Sequence, residues 1–153
     1  MVDEIFISIV IPVLNEEESI EKLYKKVLES LVSYSSWEIN FVDDGSYDNS
    51  YNVIRNIVGT DKRVKAIQLF KNFGKAAALS EGFKLVKGKY VVTIDADLQD
   101  DPKEIPNLVS KLETGYDLVS GWKIDRQDPL TKTLPSKIFN FITRILTGVR
   151  IHD

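Results

Sequence analysis

The sequence predicts an α/β domain: a doubly wound, mostly parallel sheet with helices on both faces. Three observations predict it. Short β-branched apolar runs alternate five times with stretches of helical period, which is the pattern of strands joined by crossover helices. The first of these runs, residues 5–11, is apolar almost throughout, as expected of a strand covered on both sides. Two of the runs end abruptly in acids, Asp43-Asp44 and Asp95-Ala96-Asp97. Open sheets of this class bind ligands outside the carboxyl ends of their strands.

In chain order, Pro12 closes the first strand, and Asn15 is expected to cap the next helix with Glu18 at the capping-box position. Ile20, Leu23, Tyr24, Val27, Leu28 and Leu31 follow at helical spacing. A second strand is expected over 37–42. A helix with Val53, Ile54, Ile57 and Val58 on one face comes next, then a third strand over 64–70. Asn72-Phe73-Gly74-Lys75 reads as a turn, and 76–86 as a helix whose alanines allow close approach to the sheet. The fourth strand is expected over 90–95. Asp101, Pro102 and Glu104 then supply an N-cap, a first-turn proline and a capping box, with Pro106 disturbing the regular start of that helix. A fifth strand is expected over 116–120.

With 153 residues the chain is long enough for one domain with a real core. A net charge of −3 gives no general affinity for nucleic acid. The absence of cysteine excludes disulfides and thiolate metal sites, and the only histidine, His152, excludes a histidine-rich zinc centre. The acidic start has no signal-peptide pattern, and no apolar run is long enough to span a bilayer.

The chemistry is concentrated at the strand ends. Asp95 and Asp97 lie two apart, so an extended chain turns them to one face, where they repel each other unless a cation intervenes. Oxygen-only ligands favour Mg2+ or Mn2+, ions that take part of their shell from water or a substrate diphosphate. Gln99 offers a third, neutral oxygen. A solvated capping turn would explain Asp100 or Asp101, but not the two acids that precede the cap. Asp43-Asp44-Gly45-Ser46 reads either as a plain turn before a helix capped by Ser46 or Asp48, or as a carboxylate presented to a nucleobase N–H or a ribose hydroxyl. Gly74-Lys75 lacks the rest of a P-loop, so Lys71 and Lys75 read as rim charges. Lys123 and Arg126 after the fifth strand read as phosphate-neutralising groups or as a solvated loop. Residues 138–149 form an amphipathic pattern with a basic bias, fitted either to the sheet or to a membrane interface.

Taken together, four segments resemble family-2 glycosyltransferases of the GT-A fold. They are Ser8-Ile9-Val10-Ile11-Pro12-Val13-Leu14-Asn15-Glu16-Glu17, Val42-Asp43-Asp44-Gly45-Ser46, Asn72-Phe73-Gly74-Lys75 and Asp95-Ala96-Asp97-Leu98-Gln99. The run from Leu98 to Pro106, Arg126-Gln127-Asp128-Pro129 and Leu134-Pro135-Ser136-Lys137 resemble the polyprenyl-phosphate subgroup. The resemblance implies metal-dependent, inverting transfer of a sugar from a UDP- or GDP-linked donor to a polyprenyl phosphate, as in cell-envelope glycan synthesis. It implies that Pro12, Leu14 and Glu16 line the nucleoside pocket and that Asp44 contacts the base. Asp95, Asp97 and Gln99 would hold the ion and the diphosphate. Lys123, Lys132 and Ser136 would meet the acceptor phosphate, and Asp153 would be an assisting base. It further implies association with the cytoplasmic face of a membrane, and it leaves self-association into a homo-oligomer open. Members of the family continue past such a His-Asp, so residues 1–153 read as a single catalytic domain cut short at its C-terminal end.

Three competing readings remain at this point. One keeps the donor site but uses a saccharide or protein hydroxyl as acceptor, which needs a general base. Another is a phosphate-accepting receiver domain, whose paired acids should follow the first strand rather than Pro12. The last is a non-catalytic nucleotide-binding module that has kept the fold.

Overall fold

The computed structural model describes residues 5–121. The chain divides into two compact units, 1–115 and 116–153. Among its described residues the first carries four strands and four α-helices: β1 (Ile7–Val13), α1 (Ile20–Ser30), β2 (Trp37–Asp43), α2 (Ser50–Thr60), β3 (Val64–Gln68), α3 (Lys75–Phe83), β4 (Tyr90–Thr93) and α4 (Ile105–Glu113). A 3-10 turn, Pro102–Glu104, leads into α4. The sheet order is β3-β2-β1-β4, and all three pairings are parallel. The chain moves outward from β1 through β2 to β3, then crosses back to lay β4 on the other side of β1. That reversal leaves a crevice between the carboxyl ends of β1 and β4, the topological switch point.

Strand alternation divides the sheet into two unlike faces. Ile7, Ile9, Ile11, Ile39 and Phe41 point one way. They join Ile20, Leu23 and Val27 of α1, Ile54 and Ile57 of α2, and Ile105 and Val109 of α4 in the main core. Burying each such aliphatic side chain is worth about 1.5–3 kcal/mol, so this face holds most of the stability. The opposite face, with Ser8, Val10, Glu38 and Val42, lies under α3. Gly82 lets that helix descend: a Cβ there would stand 2.4 Å from a Val10 methyl. Glu38 is buried at the far end of this face. Its carboxylate accepts from Ser8 Oγ (2.8 Å), Lys65 Nζ (2.6 Å) and the Lys87 backbone N–H (2.8 Å). Burial alone would raise its pKa, but these donors outweigh it and hold the carboxyl below its ordinary value.

The structure corrects several expectations. No strand forms over 116–120, where Tyr116 and Leu118 are exposed. Apolar side chains left exposed gain none of the burial that stabilises a strand. Asn15 does not cap α1. It adopts a left-handed conformation (φ 57°) and its side-chain oxygen accepts from Tyr47 N–H, so α1 starts only at Ile20. β4 ends at Thr93, which leaves Asp95 in the loop beyond it. β3 is shorter than expected, ending at Gln68, and α3 runs 75–83 rather than 76–86. The Asp101 cap is present, with its carboxylate accepting from Lys103 N–H. Pro106 falls in the first turn of α4, where its missing N–H costs nothing, and the 3-10 turn precedes it. Residues 122–153 lie outside the described residues, and with them Lys123, Arg126, Lys132, Ser136, Asp153 and the amphipathic stretch 138–149.

Candidate active site

An open cavity of about 240 Å3 occupies the switch-point crevice. Its walls come from four chain segments. Pro12, Val13, Leu14 and Glu16 leave β1, and Asp44 follows β2. Asn72, Gly74 and Lys75 lead into α3, and Asp95, Ala96 and Asp97 follow β4. Pro12, Leu14, Glu16, Asp44, Asp95 and Asp97 are therefore brought together, as the sequence led one to expect. Gln99 is not. It borders a neighbouring depression with Lys26, Glu29, Leu98, Asp100, Asp101 and Lys103.

Each wall is held by hydrogen bonds that the sequence does not announce. The β1–α1 loop is laced to the β2–α2 loop. Asn15 N–H donates to Ser46 Oγ (2.9 Å) and Glu16 N–H to Ser50 Oγ (2.8 Å), while Glu17 Oε2 accepts from Asn49 N–H (2.9 Å). Asp43 is fully buried and accepts from the Ser46 backbone N–H and hydroxyl and from Gln68 Nε2. Asp44 is almost as buried. One of its oxygens accepts from Phe73 N–H and the other from Gly74 N–H, both at 2.8 Å. This carboxylate thus ties the end of β2 to the loop before α3 and places Asn72, Gly74 and Lys75 on the cavity wall. That bridge was missed from the sequence. Its signal was the Asn72-Phe73-Gly74-Lys75 turn itself, whose Gly74 takes a positive φ of 94°.

The acidic loop after β4 curls back on itself. Leu98 adopts φ 63°, a conformation costly for a residue with a Cβ, and Asp100 accepts from the Asp95 backbone N–H (3.3 Å). Asp97 is exposed, and one of its oxygens accepts from Gln99 N–H (3.0 Å). Asp95 faces Lys75, whose ammonium lies 2.6 Å from one carboxylate oxygen and 2.7 Å from the other. A cation is thus already accommodated at Asp95. Among the described residues no three His, Cys, Asp or Glu side chains converge on one point. The donor set here is two carboxylates, suited to a hard divalent ion that draws its remaining ligands from water and a ligand's oxygens.

Residues 8–152 match the protein family described as Glycosyl transferase family 2. The chain is 43% identical over 150 residues to the undecaprenyl-phosphate 4-deoxy-4-formamido-L-arabinose transferase of Shewanella sediminis, covering 97% of this chain and 45% of that protein. It is 39% identical over 156 residues to the dodecaprenyl-phosphate galacturonate synthase of Rhizobium johnstonii, covering 99% of this chain and 46% of that protein. The chain thus spans about half the length of these relatives. Among solved structures, a mannosyltransferase from Pyrobaculum calidifontis in complex with GDP-Man and Mn2+ superposes with a TM-score of 0.62 at 26% identity. That superposition covers 69% of this chain and 32% of that one.

Proposed function

Because the chain belongs to glycosyl transferase family 2, we propose that it forms the donor side of a GT-A enzyme that moves a sugar, with inversion, from a nucleotide sugar to a polyprenyl phosphate. The observation that carries this reading is the convergence of Pro12, Leu14, Glu16, Asp44, Asp95 and Asp97 on one cavity at the switch point. Pro12, Leu14 and Glu16 wall the nucleoside, and Asp44 stands at the base end. Asp95 and Asp97 would hold Mg2+ or Mn2+, and Gln99, which borders the neighbouring depression, would offer a further oxygen. When bound, the ion supplies charge neutralisation for the leaving diphosphate. The relatives named for polyprenyl phosphates support a lipid-phosphate acceptor, already an anion and so without need of a strong general base. Lys123, Lys132 and Ser136 bind that phosphate, Asp153 assists, and the basic amphipathic stretch 138–149 rests on the cytoplasmic face of a membrane. No helix of the described residues is long and apolar enough to cross one.

Calorimetric titration of UDP and of GDP, each with Mn2+, with Mg2+ and with EDTA, tests the donor site. One nucleotide should bind with metal and not with EDTA. Asp97→Asn should weaken it about tenfold or more, the effect of removing one charged metal ligand. Binding that ignores EDTA and the substitution would refute the metal-diphosphate role.

A further inference from the structure

The Lys75–Asp95 pair lies where the ion of the proposed donor site would have to bind, and it has the features of an exchangeable contact. Lys75 is the first residue of α3, and the two residues before it are clamped through their N–H groups by Asp44, so its backbone position is fixed from the end of β2. Its ammonium contacts both Asp95 oxygens. The contact is nonetheless open to solvent, with 59% of the Lys75 side chain and 37% of the Asp95 side chain exposed. An exposed pair of this kind is weakly held and forms and breaks readily. A lysine is a mobile point charge on a flexible stem, suited to leaving one anion when a stronger cation arrives. Among the described residues, Asp95 and Asp97 are the carboxylates of the loop after β4 that line the cavity, and Asp95 is covered by Lys75.

We propose that Lys75 is a placeholder cation: it occupies Asp95 while the donor site is empty, opposes binding of the divalent ion alone, and yields when ion and nucleotide diphosphate arrive together. This rests on the donor-site reading above and adds to it a reason for the ion to enter with the nucleotide rather than before it. Lys75 is thus a positioning residue that couples two ligands. The nearby Lys71 makes no ion pair among the described residues; it lies over the rings of Phe70 and Phe73, 5.6 and 5.1 Å from their centroids. It is therefore the control for simple loss of positive charge.

The test is free Mn2+ measured by electron paramagnetic resonance during titration of the 153-residue chain, with and without the nucleotide that the calorimetry selects. Wild type should bind Mn2+ about tenfold more tightly with nucleotide present. Lys75→Gln should bind Mn2+ alone about tenfold more tightly than wild type, the effect expected from removing one competing unit charge beside a divalent ion. The nucleotide should then add correspondingly less. Lys75→Arg should behave like wild type, and Lys71→Gln should leave the coupling unchanged. Metal-dependent nucleotide binding in wild type, with Lys75→Gln no different from wild type or matched by Lys71→Gln, would overturn the placeholder and leave the donor site standing. Equal Mn2+ affinity with and without nucleotide in wild type would overturn it independently of any variant. Failure of wild type to bind nucleotide with metal would remove both readings together.

Discussion

At the scale of single residues, Gly45 sets how closely two walls of the cavity approach. It adopts φ 72°, and a Cβ on it would stand 2.4 Å from the Lys71 carbonyl carbon and 2.7 Å from the Asn72 nitrogen. The obstruction is backbone, so no rotamer change can relieve it. Gly45→Ala combines a left-handed conformation unfavourable to alanine with a main-chain clash. It should lower unfolding stability by about 2 kcal/mol or more in urea titration. Gly59, with nothing within 4 Å of an added Cβ, is the natural control. Asp95, Asp97 and Asp44 were legible in the sequence as acids at strand ends. The use of Asp44 was not, because the two N–H groups it accepts from lie about 30 positions away, and spacing along a chain does not reveal a loop that folds back. Gln99 was legible as an oxygen donor. Its side-chain direction was not, because it depends on the left-handed turn at Leu98, which no residue type announced.

At the scale of elements, the junction of α1, α2 and β3 is held by a polar cluster remote from the cavity. Asp61 accepts from Arg63 Nε (3.0 Å), the Arg63 N–H (2.9 Å) and Tyr24 O–H (2.9 Å), and the Arg63 guanidinium stacks 3.7 Å over Trp37. The Arg63 hydrogen bonds, against the opposing effect of burial, lower the Asp61 pKa from 3.8 to about 2. Burial and the bond to Asp61 raise Tyr24 to about 12. The signs are opposite. The Asp61 contribution is complete above pH 4 and is lost as pH falls toward 2, while the Tyr24 contribution is complete below pH 10 and is lost as pH rises toward 12. Asp61→Asn should remove about 1–2 kcal/mol at neutral pH, solvent screening included, and flatten the acid limb of a stability profile measured by urea titration. The elements themselves were legible because apolar runs and helical spacing are local properties. Their ends were less so. Asn15 has the composition of a cap, but the loop it belongs to is claimed by Ser46 and Ser50 of the next crossover, and a tertiary contact overrode the local preference.

At the scale of the molecule, the two ends of the sheet do different work. The carboxyl ends gather the acids of the cavity. The amino end carries Glu38 with Ser8, Lys65 and the Lys87 N–H, about 20 Å away along β2 at the rise of an extended strand. Glu38 is held below its ordinary pKa, so its contribution is present at neutral pH and lost as pH falls through the lowered value. Glu38→Gln should cost about 1–3 kcal/mol in urea titration, since one buried acceptor is exchanged for a donor. Metal-dependent nucleotide affinity should be unchanged by it. Mostly parallel strands and acids gathered at their carboxyl ends followed from the sequence. The absent fifth strand did not, since burial of Tyr116 and Leu118 depends on the rest of the fold rather than on that segment's own residues.

The lacing of the first two loops has an evolutionary corollary. Its donors at Asn15, Glu16 and Asn49 are main-chain N–H groups, which every residue but proline possesses. The frame of the pocket is thus nearly indifferent to side-chain identity at Leu14 and Tyr47, both of which face solvent. Such a frame lets exposed side chains be exchanged while the cleft is inherited unchanged; if the cavity is the donor site proposed above, single substitutions at position 14 should alter donor preference while leaving the architecture in place.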